Sequence, residues 1–385
     1  MTPTSPRVLG LMSGTSADGV DCVLLELSGF PALGSSETQP LLSGVVPRAH
    51  ILGQTYRAYP QTLRDDVLAA ARDELTTSKI AQLDFELGQF LGEAALELSG
   101  EAQLIASHGQ TVYHIPRLDA QRGWHTRATL QLGQAALIAE ITARDVISDF
   151  RPSDLAAGGQ AAPLVPFADR ILFAREGVKR AIQNLGGLSN LTYLPGLEPQ
   201  GVLAFDTGPA NCLIDEAAAL LGQRFDDGGR LASSGRVDRV LLERWKQNPY
   251  LSLKPPKSTG REVWNLQALE GVFELEPRDI AATVTAFTAQ SIVDAYQKFV
   301  LPHGLDEVYV AGGGTQNPVL MSLIAQGLAP IPVRPLEELG MPSSAREAAA
   351  FAVLGYYARQ GWSNTLPHTT GARRAVVAGK WTRAG

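Results

Sequence analysis

Seven residues near the start of the chain, Ser13-Gly14-Thr15-Ser16-Ala17-Asp18-Gly19, combine glycines, hydroxyls and a carboxylate with almost no side-chain bulk. Such a turn lets main-chain N–H groups close on an anion, and with no lysine in it the cradle is made of backbone. Apolar runs at 8–12 and 20–27 flank it, so it reads as the tip of an antiparallel hairpin. An ordinary hairpin turn has the same composition and stands as the alternative. What favours chemistry is that the pattern recurs: Asn184-Leu185-Gly186-Gly187-Leu188-Ser189-Asn190 again sits between two apolar runs.

Just beyond that second turn, the apolar run 201–205 ends in Asp206-Thr207-Gly208-Pro209-Ala210-Asn211, with a helical pattern from Cys212. A carboxylate where a strand hands over to a helix N-terminus is placed to face a phosphate and a substrate hydroxyl, which makes Asp206 the first candidate for a chemical base. An Asx-turn or N-cap residue is the plainer reading of the same position. Asp149, Arg151 and Asp154 precede a small-residue segment, 155–166, whose glycines and prolines prevent it from being regular throughout; it reads as a hinge and cleft floor, or as a linker with a surface ion pair. Ser107-His108-Gly109-Gln110-Thr111 emerges from a short apolar strand, at the edge where α/β sheets bind ligands. Gly312-Gly313-Gly314 lies between a buried strand and a helix, which permits close backbone approach of a ligand. Neither GxGxxG nor a Walker lysine motif accompanies it.

The elements that must position these residues follow from pattern. A chain of 385 residues, 45% hydrophobic, makes two domains with sizeable cores. Strand regions are expected at 41–52, 102–107 and 145–149, helices at 56–72 (interrupted near Pro60), 77–98, 131–141, 277–300 and 343–359, and a surface loop at 115–127. The two hairpins imply two similar βββαβα lobes facing each other across a cleft. With 33 basic against 39 acidic residues the net charge is −6, and no basic run recommends nucleic acid or an anionic membrane. Cys22 and Cys212 lie in separate apolar runs, which suits buried thiols in a reducing compartment. No signal peptide or membrane span is read, so a cytoplasmic protein acting on a small molecule is expected, with a homodimer as the default assembly.

Together these pieces resemble the sugar kinase/Hsp70/actin superfamily. Within it, LGLMSGTSADGVD (9–21), SHGQT (107–111), DFRPSDLAAGGQAAPLVP (149–166), NLGGLSN (184–190), FDTGPAN (205–211), KSTGRE (257–262) and AGGG (311–314) closely resemble the anhydro-N-acetylmuramic acid kinase family, over nearly the whole chain. The superfamily's first-strand aspartate is Met12 here, as in that family. The resemblance implies an α/β fold of two duplicated actin-like, ribonuclease H-like lobes with an interlobe cleft, one lobe over 1–150 and the other over 151–385, the final helix packing back on the first. It implies ATP and Mg²⁺ as cofactors, and a reaction in which water opens the 1,6-anhydro bridge while ATP phosphorylates the freed O6, giving N-acetylmuramic acid 6-phosphate for cell-wall sugar recycling. Asp206 would activate the water. Gly14, Thr15, Ser16, Ala17, Asp18, Gly19, Val20 and Asp21 would hold the nucleotide phosphates together with Gly187, Gly208 and Asn211, with Gly312, Gly313 and Gly314 flanking the adenosine. His108, Asp149, Arg151, Asp154, Gly159, Gln160 and Glu347 would face the sugar. Hydrolysis needs bulk water kept out, so closure of the lobes is expected. The rivals are a generic hexosamine kinase, which needs no water-activating base, and a nucleotide-dependent filament or chaperone-like module, for which no peptide-binding appendage is evident.

Overall fold

The computed structural model describes residues 5–36 and 48–385. The chain divides into two compact units, one of residues 1–172 and 344–385, the other of residues 173–343. This boundary differs from the one expected at 150/151. Residues 151–172 stay with the first unit because they are tied to its C-terminal segment: buried Asp154 accepts from Thr370 Oγ1 at 2.8 Å, and Asp169 pairs with Arg346.

The first unit holds a six-stranded sheet in the order β3-β2-β1-β4-β7-β13. Its strands are β1 (Arg7–Met12), β2 (Gly19–Ser28), β3 (Arg48–Ala58), β4 (Leu104–Ser107), β7 (Val146–Ser148) and β13 (Lys380–Thr382). Strands β1 and β2 form the expected antiparallel hairpin, with Met12 opposite Asp21, and β4 runs parallel to β1. Of the strand expected at 41–52, residues 41–47 lie outside the described residues; β3 continues past it to Ala58, where Pro60 ends the run and the helix Gln61–Ala71 begins. The core is Leu- and Val-rich side chains of β1, β2 and the helix Thr77–Ser99, whose Thr76 caps its first turn through Lys79 N–H. On the same sheet, helix Arg346–Arg359 packs so closely that a Cβ on Gly10 would lie 1.9 Å from the Ala348 carbonyl oxygen, which only glycine permits.

The helix expected at 131–141 is split. Residues Ala128–Leu132 form β6, antiparallel to β5 (Gln110–Ile115), and a helix starts only at Ala135. Gly133, at φ +120, separates the two and prevents one continuous helix.

The second unit carries a five-stranded sheet in the order β10-β9-β8-β11-β12: β8 (Arg180–Leu185), β9 (Leu188–Leu194), β10 (Leu203–Pro209), β11 (Glu307–Ala311) and β12 (Val333–Pro335). Each sheet therefore has the ribonuclease H-like arrangement, a central first strand with an antiparallel hairpin partner on one side and parallel strands on the other. The second core gathers Trp264, Phe287, Tyr296 and aliphatic side chains against the helix Pro277–Phe299. No described helix is long and apolar enough to cross a membrane.

Candidate active site

In both sheets the chemistry-bearing residues emerge at the carboxyl ends of parallel strands, the edge at which α/β sheets bind ligands. In the first unit, Ala17 N–H donates to the Gly14 carbonyl (3.2 Å), and Ala17 itself sits in the left-handed region at φ +52. A non-glycine residue held there costs on the order of 1 kcal/mol, so something must pin the turn. The pins are Tyr59 and Gln110. Tyr59 OH donates to Ser13 Oγ (2.8 Å), Ser13 Oγ donates to Gln110 Oε1 (2.6 Å), and Gln110 Nε2 donates to the Gly14 carbonyl (3.1 Å). Thr15 and Ser16 are left exposed at the tip, while Asp18 turns toward Arg64 at 3.2 Å. Neither pin was singled out from sequence as a turn lock; the glutamine of SHGQT was the available signal.

His108 lies beneath this turn. Its Nδ1 is 3.1 Å from the Ser13 carbonyl, which can only accept, and its Nε2 is 3.0 Å from the Arg151 guanidinium, which can only donate. The ring is therefore the neutral Nδ1–H tautomer, and burial followed by the Arg151 charge pushes its pKa down to about 3. The folded value lies below the unfolded one near 6.5, so stability held at neutral pH is lost as pH falls through that range. Between pH 7 and pH 5 the wild type is expected to lose roughly 2 kcal/mol more than His108→Gln, read from urea midpoints at the two pH values. Equal losses would show that His108 does not set the acid sensitivity.

Arg151 also donates to the Ala161 carbonyl (2.6 Å) and faces Glu347, while burial pulls its guanidinium down to about 10, still cationic at neutral pH. Glu347 in turn faces Asp21, whose carboxyl is pushed up to about 6 by burial and then by the Glu347 charge. Thus His108, Arg151, Glu347 and Asp21 converge in the first unit. Four other expected sugar contacts do not join them. Asp154 is fully buried, with Ala161 N–H and Thr370 Oγ1 donating to its two oxygens, so it holds the 157–161 loop and cannot reach a ligand. Gly159 packs directly on that carboxylate. Asp149 pairs with Lys380. Gln160 is anchored through its main-chain N–H to the Thr370 carbonyl (2.8 Å).

In the second unit, Asp206 lies on β10 at a bulge, where the pairing with β9 shifts between Asp206 and Gly208. Bulges re-aim side chains. Asp206 Oδ2 accepts from Thr259 N–H (2.9 Å), its carbonyl accepts from Tyr250 OH (2.7 Å), and its own N–H donates to the Lys257 carbonyl (3.1 Å). Burial pushes its pKa up to about 6, against the lowering pull of the Thr259 N–H and the Lys257 cation. A carboxyl group that is ionised at neutral pH yet basic enough to take a proton is what a general base requires.

The second glycine turn is stitched to the helix after β10. Asn211 N–H donates to Gly186 and Cys212 N–H to Gly187, while Asn211 Nδ2 donates to the Leu185 carbonyl (3.1 Å). Of the three glycines expected near a ligand, Gly313 lines a cavity of about 290 Å³ with Asn211, Asp215, Phe225, Asp226, Asp227 and Gln316. Gly312 is glycine for packing, since at φ +93 its Cβ would meet the Leu185 carbonyl oxygen at 2.6 Å. Asp215, Phe225 and Gln316 meet in this wall only through the fold, because segments distant in sequence build it. Among the described residues no group of three or more His, Cys, Asp or Glu side chains could hold a metal ion; Asp21 and Glu347 make a pair only, and no ligand set for magnesium is assigned.

Two ribonuclease H-like sheets, each with a glycine turn at the carboxyl end of its central strand, define the sugar kinase/Hsp70/actin class of protein. The chain belongs to the family described as anhydro-N-acetylmuramic acid kinase, which matches residues 6–384. The anhydro-N-acetylmuramic acid kinase of Caldanaerobacter subterraneus subsp. tengcongensis is 39% identical, over 97% of this chain and 96% of its own length. That of Streptomyces avermitilis is 42% identical, over 98% and 94%. Among solved structures, component A of the Acidaminococcus fermentans (R)-2-hydroxyglutaryl-CoA dehydratase is similar over 92% of this chain and 99% of its own, at 12% identity and a TM-score of 0.43.

Proposed function

We propose that this chain is an ATP-dependent kinase for 1,6-anhydro-N-acetylmuramic acid that opens the anhydro bridge with water and phosphorylates O6. In this reading the Asp206 carboxylate takes a proton from water as the water oxygen bonds to C1. The C1–O6 bond breaks, O6 attacks the γ-phosphorus in line, and ADP departs. The products are N-acetylmuramic acid 6-phosphate, ADP and one proton, a step suited to the recycling of peptidoglycan sugars.

The observation that carries the reading is Asp206 itself, a mostly buried carboxylate with one oxygen committed to Thr259 N–H and a pKa close to the working range. The main chain at 14–21 and at Gly187 and Gly208 suits phosphate oxygens. The cavity beside Gly313 suits the nucleoside end, because its Asp215, Asp226 and Asp227 carboxylates repel phosphate while Phe225 offers a ring face to a base. Arg151, with His108 and Glu347 around it, is the group proposed to face the sugar's carboxylate-bearing side. Magnesium would enter with the nucleotide as counter-ion to its phosphates; no step is assigned to it.

Incubation with ATP, magnesium and the anhydro sugar in oxygen-18 water tests the reading. Mass spectrometry is expected to find one heavy oxygen at C1 and one phosphate in the product. A phosphorylated product with no heavy oxygen at C1, or no turnover of the anhydro sugar, would remove the hydrolytic half of the proposal.

A further inference from the structure

Lys257 is 7% exposed, and nothing in the reaction above uses it. Its ammonium lies 4.6 Å from the Tyr250 ring centroid, 5.2 Å from that of Phe299 and 5.8 Å from that of Phe205. Its Nζ donates to the main-chain carbonyls of Tyr250 (3.2 Å) and Leu251 (3.4 Å). Taking an ammonium out of water is costly, and two carbonyls with three ring faces compensate only in part. For packing alone, a methionine would fill the same cage without that cost.

What the cation contacts says what it does. Tyr250, at one end of its reach, donates its hydroxyl to the Asp206 carbonyl; Lys257 itself accepts from Asp206 N–H; Thr259, two residues further on, donates N–H to Asp206 Oδ2. Lys257 thus closes the 250–259 segment on itself and places three contacts around the carboxylate-bearing residue. Thr259 Oγ1 is buried and has no hydrogen-bond partner among the described residues, a hydroxyl available to a water held at the Asp206 carboxylate.

We infer that Lys257 is a positioning residue for Asp206: its caged ammonium, bonded to the Tyr250 and Leu251 carbonyls, closes the 250–259 segment around that residue and brings a cation to its side of the site. The charged groups in play are few. Lys257 is the cation acting on Asp206, and Lys298, from the helix Pro277–Phe299, faces Lys257 and opposes its charge. The inference builds on the proposed role of Asp206 as base, so its test needs a readout that works without turnover.

Carbon-13 NMR of protein labelled at the aspartate carboxyls, with the Asp206 signal assigned by its loss in Asp206→Asn, follows that group directly. In Lys257→Met the Asp206 titration is expected to move upward by about half a pH unit or more, because the neighbouring cation is gone. The acid limb of kcat for the anhydro sugar moves up with it. Lys257→Gln, whose amide can still donate to the Tyr250 and Leu251 carbonyls, is the second variant; it keeps the clamp without the charge and is expected to show the same upward movement. An unmoved Asp206 titration in a folded variant overturns the inference, whatever happens to the rate, since a packing role alone lowers stability and leaves the limb in place. Loss of the fold in both variants overturns it too, as the cation is then a structural requirement. A moved titration in a protein that never turns over the anhydro sugar keeps the inference and removes the functional reading instead.

Discussion

Asp206→Asn is expected to lower kcat for intact anhydro-N-acetylmuramic acid by about 10²- to 10⁴-fold, the usual contribution of a general base, and to make the protein more stable at pH 8. Both effects come from one feature. The asparagine can still accept from Thr259 N–H, so the geometry survives, but it cannot take a proton from water. The native carboxyl titrates at about 6, above the unfolded value near 3.9, so the folded state binds the proton more tightly than the unfolded chain does. Stability conferred by the protonated form is present at low pH and is lost as pH rises from about 4 to about 6. The variant has no such loss. Its advantage opens across that interval and levels off above it at no more than about 2 to 3 kcal/mol.

Two measurements check this. Thermal melts at pH 4 and pH 8 should show the variant matching the wild type at the lower pH and exceeding it at the higher. An ADP-release assay comparing the intact anhydro sugar with already opened N-acetylmuramic acid locates the lesion. Activity retained only on the opened sugar supports water activation; equal losses on both would make Asp206 the base for an ordinary acceptor hydroxyl, the generic sugar kinase.

The second large effect is structural. Asp169→Ala is expected to destabilise the first unit by about 3 to 5 kcal/mol, because it strands a buried guanidinium. Asp169 is 0% and Arg346 4% exposed, and the pair is bidentate, with Arg346 Nε 3.0 Å from Oδ1 and NH2 2.5 Å from Oδ2. Arg346 opens the helix whose next residue is Glu347, so the same pair orients the carboxylate that faces Asp21 and Arg151. Urea unfolding of Asp169→Ala and of the apolar double variant Asp169→Leu/Arg346→Met separates charge from packing. The single variant should shift the midpoint far more than the double, since removing both charges leaves no unpaired ion in the core. A double variant as damaged as the single would mean that the pair acts through shape.

Much of this was legible without coordinates. Both glycine hairpins stand where alternating apolar runs put them, because strand periodicity and turn composition are local properties. Asp206 was legible as a carboxylate at a strand end, and the motifs from 9–21 to 311–314 pointed to the family that the chain belongs to. The misreadings share a cause. Asp154 and Gly159 lie in the same short motif as Arg151, yet burial turns them inward while Arg151 reaches His108, and no linear spacing records which way a side chain faces. The helix expected from 131 starts only at Ala135 because Gln131 and Leu132 close strand β6, whose partner β5 lies across a loop, and pairing over such a distance leaves little local trace.

The amino-acid sequence by itself determined the two glycine hairpins, their lysine-free turns and the identity of the candidate base, since these follow from residue types at short range. Only the tertiary structure decided which polar groups meet: Tyr59 and Gln110 on the first turn, Lys257 and Thr259 around Asp206, Asp169 against Arg346. The reason is physical. A carboxyl becomes a base, a histidine stays neutral and a lysine loses its water through burial and through neighbours brought from far along the chain, and those are properties of the folded surroundings.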